Sequence, residues 1–108
     1  MRGYCFLMLK RHAVELHDLS TDEAAAFVRD AQAVSRAVQE MAGAVKMNYE
    51  IHGNTVPHLH MHVFPRYPGD PFEGAPINPR LITGPVYRPG EHAEMRQRIR
   101  EALARAGG

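Results

Sequence analysis

Seven histidines occur in the 108-residue chain. Three of them, His58, His60 and His62, stand at alternate positions in the run His58-Leu59-His60-Met61-His62-Val63-Phe64-Pro65-Arg66. An extended strand turns successive side chains to opposite faces, so this period of two puts the three imidazoles on one face and Leu59, Met61 and Val63 on the other. Two residues of strand rise about 6.5–7 Å, a step at which a row of imidazoles lines an extended phosphate chain. A neutral imidazole nitrogen attacks phosphorus to give a phosphoramidate that water then opens. Neighbouring imidazoles orient the attacker and protonate the leaving group near neutral pH. The same residues also suit zinc, because His-x-His on a strand offers two nitrogens, with His12, Glu50 or Asp70 as a third ligand. A ligand-binding module without chemistry and a purely structural strand complete the range of readings. Isolated histidines usually belong to the last; three in strict alternation, bounded by Pro57 and Pro65, favour a site.

The elements that must position this row follow from the rest of the chain. Residues 1–108 are sufficient for one domain, which buries roughly 65% of its unfolded surface. The formal net charge of +1 supplies no broad basic field for nucleic acid. Cys5 is the only cysteine, so no internal disulfide forms, and a reducing, cytoplasmic setting is expected. The apolar run Tyr4 to Leu9 is too short to span a membrane and lacks the layout of a signal peptide. Residues 3 to 10 read as a strand, apolar on both faces and therefore central in a sheet. Ala13 to Leu19 reads as a loop. Ser20 as N-cap and Glu23 three residues later form a capping box that opens a helix, and Gly43 stops it. Phe27, Ala31, Val34, Val38 and Met41 make its apolar stripe.

Val45 to Ile51 alternates again, and His52-Gly53-Asn54 leads back into the histidine run. Two alternating segments joined by a glycine-containing turn predict an antiparallel hairpin, which brings Asn48 and Glu50 onto the histidine face if the register allows. Six prolines interrupt residues 67 to 90 and exclude long regular structure there; Asp70-Pro71-Phe72-Glu73 suggests an ordered loop. Glu91 to Ala106 reads as a second helix with Met95, Ile99 and Leu103 on its apolar side. The resulting fold class is α+β: an antiparallel sheet, a helix packed on it and a C-terminal helix. So small a sheet leaves edges open, and pairing with a second copy would cover them.

The stretch Asn48-Tyr49-Glu50-Ile51-His52-Gly53-Asn54-Thr55-Val56-Pro57-His58-Leu59-His60-Met61-His62-Val63-Phe64-Pro65-Arg66 resembles the signature region of the histidine triad (HIT) family, in which histidines alternate with apolar residues. The run from Gly3 to Lys10-Arg11-His12, followed by Glu15-Leu16-His17-Asp18-Leu19 and the capped helix, is similar to the family's preceding strand and helix. The likeness extends over roughly residues 3 to 80.

This resemblance implies a nucleotide hydrolase or transferase acting at the α-phosphate, of the nucleoside phosphoramidate or dinucleoside polyphosphate class. It implies His60 as nucleophile and His62 as the group that hydrogen-bonds the scissile bridging atom. His58 and His12 would be the network that fixes tautomers. Asn54 stands where many members carry glutamine and Thr55 where some carry serine, so both are expected phosphate contacts. Asn48 matches, with a one-residue gap, an asparagine near the α-phosphate. No metal is required for the triad chemistry, although substrates arrive as magnesium complexes, and a homodimer sharing its sheet is expected. Family members normally begin with a helix and a β-hairpin before the strand that starts here at Gly3. That part supplies the base and ribose pocket, so weak, base-indifferent binding is expected of a chain without it.

Overall fold

A computed structural model describes residues 3–54, 56–76 and 89–107. Its strands are β1 (Cys5–Met8), β2 (Lys46–Ile51) and β3 (His60–Arg66). Its helices are α1 (Thr21–Ala42) and α2 (Glu91–Gly107), and a short 3-10 turn covers Leu16–Asp18. The expected α+β class is found: α1 packs on an antiparallel sheet and α2 lies against α1.

The capping box that opens α1 is formed. The Glu23 N–H donates to Ser20 Oγ at 3.1 Å, and the Ser20 N–H donates to Glu23 Oε1 at 2.9 Å. Arg11 adds a bond from Nε to Glu23 Oε2 at 2.6 Å, tying the end of the first strand segment to the start of the helix. These donors hold the Glu23 carboxyl at about 2, with the Arg11 guanidinium the largest cause. At the far end Gly43 takes φ +68°, a conformation that costs a residue without a side chain little. Phe27, Ala31, Val34 and Val38 are buried as the stripe predicts, while Ala42 rather than Met41 completes it. They pack against Met47, Met61 and Val63, the inward side of the sheet, with Ile99 and Leu103 of α2 closing the same core.

The sheet order is β1-β3-β2, with both neighbours antiparallel to β3. This corrects the expected central position of the first strand: among the described residues it lies at an edge, and the histidine strand is central. The apolar character of both its faces has another cause. Cys5 and Leu7 pack on the core, whereas Phe6 and Met8 lie opposite His62 and His60 and remain 57% and 56% exposed. Gly3, just before the strand, has φ +83°, and a Cβ there would come within 3.0 Å of Pro65 Cγ and 3.1 Å of Val38 Cγ1. The close approach of this segment to β3 therefore requires glycine.

The expected antiparallel hairpin is found, and its register places Glu50 opposite His62 and Asn48 opposite Phe64. One boundary differs. His58 does not belong to β3: its N–H bonds Val56 O at 2.8 Å, and the Leu59 N–H bonds Ala13 O at 2.7 Å. The chain next to Pro57 is thus held by the loop after β1, outside the β2–β3 ladder. No helix among the described residues is long and apolar enough to cross a membrane.

Candidate functional site

Alternation along β3 sends His60, His62, Phe64 and Arg66 to the side away from the helices, and residues directly opposite in the ladders share that side. The face is therefore built from Phe6 and Met8 of β1, the β3 series, and Asn48 and Glu50 of β2. His60 and His62 are 8% and 7% exposed, with ring centroids 5.0 Å apart.

The imidazoles have different partners. His60 Nδ1 lies 2.6 Å from the His58 carbonyl oxygen. A carbonyl only accepts, so this Nδ1 carries the hydrogen, and the neutral ring keeps its lone pair on Nε2. His62 Nδ1 lies 2.7 Å from the Tyr4 hydroxyl. Its ring stacks on Phe64 at 5.6 Å and meets the edge of Phe6 at 4.8 Å. Burial, then the neighbouring His60 and His52, push the His62 pKa below the ordinary histidine range, with Glu50 opposing them. His58 donates from Nε2 to Leu9 O at 2.6 Å, which ties the segment leading into β3 to the residue just after β1. His12 is exposed, with its ring 5.6 Å from that of His58. His58, His60, His62 and His12 thus form a connected set around the start of β3.

The expected phosphate contacts are more dispersed. Asn48 lies on the histidine face, but its Oδ1 accepts from Arg66 Nη1 at 2.7 Å. Asn54 is exposed in the connection between β2 and β3, and Thr55 lies outside the described residues.

Four residues at this face were not foreseen from the sequence. Phe6 reaches it from β1, and Tyr4 from the position just before that strand. His52 bonds Glu50 Oε1 at 3.0 Å, with its ring 5.8 Å from that of His62. Arg66 is buried beneath the following loop. It donates to both carboxylate oxygens of Asp70, at 2.8 and 3.1 Å, to Asn48, and to the carbonyls of Phe72 and Ala75. The Arg66 guanidinium holds the Asp70 carboxyl at about 2. Parity was the available signal for Arg66, which stands an even number of residues from His60. Asp70, one of the expected third metal ligands, is thereby closed on Arg66. Among the described residues no three His, Cys, Asp or Glu side chains converge as a metal-binding group.

The HIT domain family model matches residues 1–69. No curated protein matches the sequence. Among solved structures, a histidine triad protein from Sinorhizobium meliloti is 27% identical with a TM-score of 0.77, the alignment covering 92% of this chain and 73% of that one. A histidine triad protein from Bradyrhizobium japonicum is 28% identical with a TM-score of 0.78, over 93% of this chain and 75% of that one. One from Marinobacter aquaeolei is 27% identical with a TM-score of 0.76, over 95% and 75%.

Proposed function

The chain belongs to the HIT domain family, whose members in general bind and hydrolyse nucleotides, and on that premise we propose that it cleaves nucleotides at the α-phosphate through a covalent nucleotidyl-histidine intermediate on His60. The observation that supports this most is the 2.6 Å contact from His60 Nδ1 to the His58 carbonyl, which leaves the Nε2 lone pair for attack. Nε2 forms the bond to phosphorus while the bond to the leaving group breaks, and the leaving group departs with that electron pair. The positive charge that arises on the His60 ring is shared with the His58 carbonyl, which receives a stronger hydrogen bond. His62 offers a hydrogen bond to the bridging atom. Water, or another acceptor, then attacks phosphorus and gives up a proton, which balances the one the departed leaving group takes from solvent; the P–N bond breaks and neutral His60 returns.

In this reading His58 and His12 hold the start of β3 in place, and Asn54, Thr55 and the amide nitrogen of Asn48 contact phosphate oxygens. The substrate brings magnesium where it brings any metal.

The test is a panel of nucleoside phosphoramidates, dinucleoside polyphosphates and nucleotide sugars, each assayed with and without a strong chelator. The expected result is turnover of at least one class that survives chelation. Nucleotide binding without turnover would make the protein a binding module. Activity that follows stoichiometric zinc would assign the histidines to a metal site.

We further propose a homodimer. β1 and β2 are edge strands among the described residues, and Phe6 and Met8 expose apolar surface beside β1. Light scattering at micromolar concentration should give about twice the chain mass of 12.1 kDa. A monomer under those conditions removes this part of the reading.

A further inference from the structure

His60 and His62 are adjacent on one face, similarly buried and chemically identical, yet the proposed reaction asks one to attack and the other to donate. What separates them is the partner at Nδ1. For His60 that partner is a carbonyl, which can only accept. For His62 it is the Tyr4 hydroxyl, 2.7 Å away, which can also donate. We propose that Tyr4 is a positioning residue that assigns His62 its role: its O–H donates to His62 Nδ1, so the neutral ring carries its hydrogen on Nε2 and presents it to the departing group. The inference rests on the nucleotidyl-transfer reading and adds to it the origin of the division of labour between the two rings.

The direction of the Tyr4–His62 bond follows from the two groups. A phenol is far more acidic than a neutral imidazole N–H, and an imidazole nitrogen is a far better base than a phenol oxygen, so O–H to N is the favoured arrangement. The reverse arrangement would need another acceptor for the phenol hydrogen, and among the described residues no carbonyl or carboxylate takes it up. Burial and the nearby Glu50 carboxylate raise the Tyr4 pKa, so the phenol keeps its proton. Burial lowers that of His62, so the ring does not take a second one. The two rings are then held in opposite tautomers. His60 has a lone pair at Nε2 and His62 an N–H, and His62 cannot compete as a nucleophile in that form.

Tyr4 is itself fixed by packing. Its ring centroid lies 4.4 Å from that of Phe64 and 5.2 Å from that of Phe6. Tyr4→Phe retains these contacts and removes one oxygen. Because only the tautomer bias is lost, the expected cost is roughly 10–100-fold in kcat for substrates with basic amine or alkoxide leaving groups, a part of the full worth of leaving-group assistance. For an acidic nitrophenyl leaving group the cost should be about threefold or less, and KM should hardly change in either case.

The direct test is nitrogen-15 NMR of the full chain with labelled imidazoles near neutral pH, without substrate. In the wild-type protein His62 Nδ1 should give the signal of an unprotonated nitrogen and Nε2 that of an N–H. Tyr4→Phe should mix or reverse the two. A wild-type His62 with its hydrogen on Nδ1 overturns the inference without any variant having to fold. So does a Tyr4→Phe spectrum with the tautomer unchanged, or a loss that is equal for acidic and basic leaving groups. If the wild-type protein turns over none of the nucleotide panel, the nucleotidyl-transfer reading fails and the proposed role fails with it. An active enzyme with the wrong tautomer fails the Tyr4 inference alone.

Discussion

His60→Ala is expected to lower turnover by about 10⁴-fold or more while nucleotide binding persists, because covalent catalysis has no substitute once the attacking atom is gone. The side chain is 8% exposed and its Nδ1–H satisfies the His58 carbonyl, so truncation also leaves a buried acceptor without its donor, at a cost of about 1–3 kcal/mol. His60→Asn is the matching control, since an amide N–H can reach toward the same carbonyl and restore stability without restoring a nucleophile. Both variants should be equally inactive, and the second should be the more stable. Rapid quench with an α-labelled substrate should place label on the wild-type protein, stable in base and released in acid as a P–N bond requires, and none on either variant.

The proposed nucleophile implies a pH profile. Attack needs uncharged imidazole, so the rate should fall as the solution is made acidic. For His62 the lowered pKa means that its neutral form persists further into acid than that of an ordinary histidine. The interacting rings should titrate as a set. A rate still rising below about pH 5 is incompatible with this chemistry. So is near-normal turnover by His60→Ala accompanied by complete loss in His62→Ala, which would move the nucleophile to the neighbouring ring.

How far the sequence led differs from residue to residue. Local, short-range chemistry was legible. Ser20 and Glu23 announce the helix start because the cap involves only four consecutive residues, and Gly43 announces its end. Period-two parity is equally reliable within a strand and with the hairpin offers Glu50 to the histidine face, but the register that sets it opposite His62 is fixed only by the ladder. What parity does not contain is sheet order. An apolar strand backed by a core on one side and facing a site on the other has the composition of a buried central strand, and the first strand was misplaced for that reason. Tyr4 was missed because its partner is 58 residues away, and an aromatic at a strand end carries no periodic signal of its own. Spacing alone puts His58 on the strand, because it cannot show that the His58 N–H turns to Val56 O and that the next residue, Leu59, bonds Ala13 in the loop after β1.

Arg66→Ala should destabilise the domain by about 3 kcal/mol, near the lower end for breaking a buried ion pair because one loop, rather than the core, covers it. The side chains of Arg66 and Asp70 are 11% and 5% exposed. Removing the guanidinium strands the Asp70 carboxylate, the Asn48 amide oxygen and the carbonyls of Phe72 and Ala75 together. In a domain of this size such a loss corresponds to a melting temperature roughly 10–20 °C lower. Asp70 also anchors its own loop, accepting from the Tyr67 and Phe72 N–H groups at 3.2 and 2.8 Å, so the segment from Tyr67 to Ala75 should loosen with it. Hydrogen exchange would show this as lost protection confined first to those residues.

The pH dependence has a defined sign. The folded carboxyl titrates at about 2, below the ordinary value of 3.8. Its contribution is therefore complete above about pH 4 and is lost as the pH falls toward 2. Over that window the wild-type protein should lose stability that an Asp70→Asn variant, already lacking the charge, does not lose. Replacing both partners by apolar residues, Arg66→Met with Asp70→Leu, should cost less than Arg66→Ala alone, because no buried charge is left behind. A melting temperature for Arg66→Ala within about 2 °C of the wild type would mean that water reaches the Asp70 carboxylate and that the loop does not seal it.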